Sequence, residues 1–372
     1  MEAGPTPAAR PLRRPIMTDV DVAVLHEEPG DDAGPLTRAT ATARLDAAER
    51  HVRGFLAAGA TRARIHAGLP DGRPFGARLR DLVADLGDGG LIVLGSGAVP
   101  LATSSDRQEL VAAAAADRPQ ALTNNRYSAD VIAVAQARAA LANAPDLPTD
   151  NALPRWLEEH AGVPVDDRRG RTKLGIDIDS PLDLVLLGGR WRSRLPAAAT
   201  VRVRAIIDAV GAVVADPAAE LIVTGRVSAT NLAWLEARTS SRTRVLIEER
   251  GLRTRRVDQR PAASVLGALL DRDGPESLGE NLTRLGDAAI VDTRVLLAHR
   301  FGADETGWPV AEDRFASDLL LTADIEDLWL RALTASAVNA PIPVLLGGHT
   351  LVGPGLRLAL GQPLGRPSQA RA

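Results

Sequence analysis

Between Gly90 and Asp106 the chain reads GLIVLGSGAVPLATSSD. The apolar run Leu91–Leu94 stops at small residues and passes Pro100. It then enters a segment that Thr103 or Ser104 can cap as a helix, with Asp106 in the first turn. A short unbroken apolar run bounded by turn residues fits a strand buried on both faces of a parallel sheet. The upstream sequence completes the unit. Asp19 to His26 alternates and then runs apolar, and Arg62 to His66 is a second short strand. Between them a helix is expected near Ala41 to Ala58, its apolar stripe made by Leu45, Ala48, Val52, Phe55 and Leu56, with Arg44, Glu49, Arg50 and Arg53 facing elsewhere. Phe75, Leu79, Leu82, Val83 and Leu86 mark another amphipathic helix, closed by Gly87. This βαβαβ alternation predicts a mainly parallel, Rossmann-like α/β sheet with right-handed crossovers.

A chain of 372 residues has room for two domains. The turn-rich, basic string GGRWRSRLP, beginning at Gly188, marks the boundary. The expected division is a disordered extension over 1–16, a first α/β domain over 17–190, a second α/β domain over 191–366 and a tail over 367–372. The net charge of −3 argues against nucleic-acid or membrane-surface binding, and no apolar run approaches the ~20 residues that span a bilayer. The absence of cysteine excludes disulfides and thiolate metal sites and agrees with a cytoplasmic location. Arginine outnumbers lysine so heavily (Lys173 is the single lysine) that any one arginine is weak testimony for function.

Two stretches of the first half carry chemistry. Thr123, Asn124, Asn125 and Arg126, with Tyr127 and Ser128, form a polar cluster between apolar flanks. Such a cluster either lines a pocket, with Asn reading base or sugar edges and Arg pairing phosphate, or makes an Asn-rich turn. Downstream, KLGIDIDSPLDLVLLGG reads as a strand, then Asp179-Ser180-Pro181, then a helix with Ser180 as cap and Asp183 in its first turn. Asp177 and Asp179, two apart at a strand end, would repel without a cation. Oxygen-ligated Mg²⁺ is one reason to place them there, and two solvated aspartates at a loop mouth is the other reading.

In the second half the expected strands AELIVTGRVSA, TRVLIEERG and DAAIVDTRVLLAH put polar residues at strand ends, where open α/β sheets bind ligands. Arg226, Asp292 and His349 are the candidates. Asp292 beside Arg294 could instead be an internally satisfied ion pair, and Arg314 and Asp318 stand four apart as a helical pair. The last helix is expected over Ile325 to Val338, which could serve a core or a homo-oligomer interface.

With these residues in view, LIVLGSGAVPLATSSDRQELV resembles the central strand–Asp-Leu-Pro-Leu–helix segment of the molybdopterin-type nucleotidyltransferases, most of all the 2-phospho-lactate guanylyltransferases of coenzyme F420 assembly. GIDIDSPLDLVLL resembles their later Asp-x-Asp-Thr-Pro-x-Asp-Leu segment, and ATARLDAAERHV is faintly similar to their helix entry after the first strand. The likeness covers Val20 to Leu187. It implies a GT-A-type nucleotidyltransferase sheet, Mg²⁺ at Asp177 and Asp179 as catalytic and metal residues, and an NTP and a small phosphorylated metabolite as substrates. Asn124, Asn125 and Arg126, together with Thr123, Ser96, Gly97 and Asp183, would then contact the substrates. The chain departs from the pattern at Ala98, where the family's strand-end aspartate would stand, and at EEPGDDAGP, which replaces a basic nucleotide loop. Divergent enzyme and catalytically degenerate binding protein, with any ligand site in the second domain, both follow from that mixture.

Overall fold

The computed structural model describes residues 18–252 and 260–361; the expected extension 1–16 and the tail 367–372 lie outside the described residues. The chain is α/β, built on two sheets. The first has six strands: β1 (Val20–Glu27), β2 (Arg62–Gly68), β3 (Gly90–Gly95), β4 (Ala121–Thr123), β5 (Val131–Val134) and β6 (Val165–Asp167), in the order β2-β1-β3-β5-β4-β6. β1 pairs in parallel with both β2 and β3, whereas β5 runs antiparallel between β3 and β4. The second sheet has four strands, all parallel: β7 (Glu220–Gly225), β8 (Arg242–Ile247), β9 (Ala288–Asp292) and β10 (Val344–Gly347), in the order β10-β9-β7-β8. The apolar runs do what their composition dictates: β3, β5, β9 and β10 are buried almost throughout.

Helix α1 (Pro35–Ala57) begins earlier than its apolar pattern predicts, and the reason is tertiary. Gly34 offers no side-chain cap. Glu312, from the second half of the chain, supplies one: its carboxylate accepts from the backbone N–H of Leu36 (2.9 Å) and Thr37 (2.9 Å) and from the Thr37 hydroxyl (2.8 Å). A Cβ on Gly34 would lie 2.2 Å from the Glu312 side chain, so a larger residue there would have to displace the capping carboxylate. The expected stripe is also displaced. Ala48 and Phe55 of that stripe are buried, but Leu45 and Leu56 are exposed, and α1 buries Leu36, Ala43, Ala47 and His51 as well, because it is packed from two sides.

Other expectations shift in ways that matter for the site. The segment before Asp177 is a 3₁₀ turn (Thr172–Gly175), and Asp177 makes a single antiparallel bridge to Ala98 in place of the strand predicted there. Strand β9 stops at Asp292, and Thr293–Phe301 is helical. The helix expected from Ile325 spans Leu328–Asn339, capped by Asp327, and the short helices His349–Val352 and Gly355–Ala359 follow it. One continuous core runs from Leu36, Ala43 and Ala47 of α1, through Leu182 and Leu184, to Val223, Ile290 and Leu346 of the second sheet. The segment Pro181–Leu187 therefore belongs by packing to both halves.

Candidate functional site

In an open α/β sheet, ligands bind beyond the carboxyl ends of the strands where the strand order reverses. The first sheet reverses between β1 and β3, the second between β7 and β9. The residues following β1, β7, β9 and β10 meet at one cavity of about 490 Å³, inside the usual range for small-molecule sites. The first half contributes Glu27, Glu28, Arg44, Asp179 and Asp183; the second contributes Arg226, Arg294, Arg314, His349 and Thr350.

The first wall is built on α1 and the segment Asp179–Asp183, which the turn after β3 supports from behind. Residues Thr37, Thr40, Ala41 and Arg44 fall at helical spacing along one face of α1, and all four line the cavity. The Arg44 guanidinium donates to the carbonyls of Ile178 (Nε, 2.6 Å) and Asp179 (Nη2, 3.0 Å) and stands 4.0 Å from the Asp179 carboxylate. This binds the Asp177–Asp179 segment to α1, while Ile178 N–H donates to Gly97 O at 3.1 Å. A Cβ at Gly97 would sit 2.9 Å from Ile178 O and 3.0 Å from Asp177 Oδ1, so Gly97 permits that contact. The two segments singled out by sequence, the turn after β3 and Asp177–Asp179, are thus in direct contact.

Burial first, then the neighbouring Asp179 charge, push the Asp177 carboxyl up to about 7, and the two carboxyls share a hydrogen bond. Burial and then Asp177 likewise hold the Asp130 carboxyl well above the usual carboxylate range. Asp183 is raised by burial and by Asp179, and its Oδ2 accepts from the backbone N–H of Asp179 (2.9 Å) and Ser180 (2.7 Å). Ser180 and Asp183 form the capping box that starts the helix, so Asp183 has a structural duty at the cavity wall.

On the opposite wall, Arg226 clasps Asp292 through Nε (2.7 Å) and Nη2 (3.0 Å). Arg294 clasps Asp318 through both terminal nitrogens, with Nη2 to Oδ2 at 2.7 Å. The expected Asp292–Arg294 pair is therefore replaced by two crossed pairs. The expected helical Arg314–Asp318 pair is also absent: Arg314 reaches Glu305 at 3.3 Å and lies over the Trp308 ring. Strand termination explains the exchange, since helix formation from Thr293 swings Arg294 off the strand face that Asp292 occupies.

The polar cluster after β4 is a satisfied turn. Thr123 Oγ1 donates to Val131 O (2.8 Å). Asn124 donates to Asp130 (2.7 Å) and Leu174 O (2.9 Å) and accepts from Asp130 N–H (3.0 Å) and Val131 N–H (3.3 Å). Asn125 accepts from Tyr127 N–H (3.1 Å), and Arg126 pairs with Glu158 (2.9 Å). Thr123, Asn124, Asn125 and Arg126 do not line the cavity; nor do Ser96, whose hydroxyl meets His26 Nδ1 at 3.0 Å, or Gly97. Of the residues chosen from sequence, Asp179, Asp183, Arg226 and His349 line the cavity, and Asp177 and Asp292 stand immediately behind.

Sequence reasoning missed Arg44 and Arg314 as lining residues. The spacing of Thr37, Thr40, Ala41 and Arg44 was the available signal for the first; nothing local signals the second. Among the described residues no group of three or more His, Asp or Glu is arranged to hold a metal by itself. Asp179 on the cavity wall and Asp177 behind it are the carboxylates that would hold Mg²⁺, which takes one or two carboxylates and completes its shell with water and substrate phosphate. Comparison with protein-family models and with curated proteins finds no match for this chain.

Proposed function

We propose that the protein transfers a nucleotidyl group from a nucleoside triphosphate to a small phosphorylated acceptor. The observation that carries this reading is a cavity with two unlike walls. One wall has the Asp179 carboxylate, with Asp177 directly behind it and Arg44 4.0 Å away; the other has the guanidinium groups of Arg226, Arg294 and Arg314. Carboxylates on one side suit a metal-bound triphosphate, and arginines on the other suit the phosphate of the acceptor. Mg²⁺ held by Asp177 and Asp179 would neutralise charge on the triphosphate and on departing pyrophosphate. Arg44 holds both aspartates in place by fixing the backbone of residues 178 and 179. An acceptor phosphate oxygen forms the new bond to the α-phosphorus as the α–β bridging bond breaks and pyrophosphate leaves. The protein's part is positioning and charge stabilisation.

Thermal-shift measurements with each NTP, with and without Mg²⁺, followed by pyrophosphate-release assays, test this. The expected result is Mg²⁺-dependent stabilisation that Asp179→Asn abolishes. Absence of Mg²⁺-dependent stabilisation by any NTP would refute it. The binding-protein reading draws on Ala98, which is 2% exposed and bridges to the backbone of Asp177, where the resemblance places an acid. Nucleotide binding without pyrophosphate release would favour that second reading.

A further inference from the structure

The edge formed by β7, β9 and β10 has features that fold stability does not demand. Gly347 is paired with Asp292, and Thr224 with Val291, so Gly225, Asp292 and Gly347 align at the carboxyl ends of three adjacent parallel strands. Gly225 adopts φ +121°, and a Cβ there would lie 2.2 Å from Asp292 Cβ. Only glycine lets the chain turn so close to that carboxylate, and the turn delivers Arg226 to it.

Asp292 and Asp318 are buried, 1% and 0% exposed, and neither lines the cavity, whereas Arg226 and Arg294 both do. Each ion pair is thus oriented with its cationic end toward the open space. Asp292 takes two of the five N–H donors on the Arg226 side chain; Asp318 and Thr293 take three of those on Arg294. The remaining donors have no protein partner among the described residues. Buried ion pairs repay their desolvation poorly and are readily replaced by apolar packing. Two of them side by side at a switch-point crevice, each fixing an arginine by its fork, are what anion recognition needs. A carboxylate presents two oxygens, whereas a phosphate monoester presents three terminal oxygens that the remaining N–H donors of two arginines can share.

We propose that Arg226 and Arg294 form a binding subsite for the phosphate monoester of a small organic ligand, on the wall facing Asp179. Naming this ligand the acceptor rests on the nucleotidyl-transfer reading above; the subsite itself does not.

Calorimetric titration of the full chain with 2-phosphoglycolate, inorganic phosphate and malonate tests it, alongside a separate Mg²⁺–NTP titration. The expected order has 2-phosphoglycolate and phosphate binding and malonate at least tenfold weaker. Replacing one whole ion pair, Arg226→Met with Asp292→Leu, keeps the fold and weakens phosphate binding at least tenfold, while Mg²⁺–NTP affinity stays within twofold. If that double variant does not fold, Arg226→Lys, which keeps the charge and loses the fork, is expected to weaken phosphate binding at least fivefold. Unchanged phosphate affinity in the folded variant, or malonate binding as tightly as phosphate, overturns the proposal. Loss of Mg²⁺–NTP affinity in step with phosphate also overturns it, since the arginines would then hold the nucleotide. A wild-type protein that binds 2-phosphoglycolate and no NTP refutes nucleotidyl transfer and leaves the subsite standing.

Discussion

His51 offers the sharpest test of how the turn after β3 is held. It is 1% exposed on α1, and its Nε2 lies 2.8 Å from the carbonyl of Ala98. That carbonyl can only accept, so Nε2 carries the proton and Nδ1 is a bare acceptor, which is buried without a partner. Protonating Nδ1 would place a charge in the core beside the Arg107 guanidinium. Burial first, and then Arg107, lower the imidazole from 6.5 to about 4. The unfolded chain takes up a proton near pH 6.5 and the folded chain resists until about 4, so this group costs nothing above pH 6.5 and destabilises progressively below it. The full loss is about 3 kcal/mol at roughly 1.4 kcal/mol per tenfold. Urea midpoints for wild type and His51→Leu, at pH steps from 7.5 to 4, isolate it. The Asp177 carboxyl, raised to about 7, works in the opposite direction, but it is common to both proteins and cancels in the difference. At pH 7 the leucine variant strands the Ala98 carbonyl and is less stable by about 1–2 kcal/mol. As pH falls wild type loses what the variant does not, and the order reverses at about pH 5–5.8. Stability curves that stay parallel from pH 6.5 to 4 would refute the reasoning.

Glu312→Ala removes the cap that α1 receives from the far half of the chain and is expected to cost about 1–2 kcal/mol in a urea titration. Faster hydrogen exchange at Leu36 and Thr37 than at the rest of α1 checks the cause. Gly225→Ala meets both a positive φ and a 2.2 Å approach to Asp292, and should lower stability by about 3 kcal/mol or more, read from the thermal midpoint. Asn124→Ala should cost about 2–3 kcal/mol by stranding the amides of Asp130 and Val131 and the carbonyl of Leu174, whereas Arg126→Gln should leave nucleotide affinity unchanged.

The fold was legible where burial writes itself into composition. LIVL in β3, LIV in β7 and VLL in β10 are unbroken because parallel strands are covered on both faces. The site was legible only in part, because strand order decides which loops diverge, and order is not local. Arg226 and His349 could be chosen as residues just beyond strand ends. Arg44 had only the helical spacing of Thr37, Thr40 and Ala41 to mark it, since an arginine on an amphipathic helix looks solvated until the second half of the chain is packed beside it. The Thr123–Arg126 cluster misled for the opposite reason. A run of polar residues satisfied by its own backbone has the same composition as one that awaits a ligand, and only the hydrogen bonds of Asn124 separate the two.

The same long-range contacts explain why two separate crevices act as one cavity. Glu312 caps α1 from across the molecule, Arg194 pairs with Asp46 on the same helix, and Leu182 packs where a Cβ at Gly347 would stand, 2.8 Å away. Each contact ties an element bearing a lining residue of one wall to an element of the other. Arg44 and Thr37 ride on α1, Asp179 and Asp183 on the start of the Pro181–Leu187 segment, and His349 follows Gly347. With apolar core continuous behind them, the spacing of carboxylates and guanidiniums is set by helix and strand packing more than by loops. A change that loosens the α1 cap should therefore weaken Mg²⁺–NTP binding as well as stability, although Glu312 itself is no lining residue. Binding by Glu312→Gln, which keeps the side-chain oxygen but loses the charge, should fall between that of wild type and Glu312→Ala.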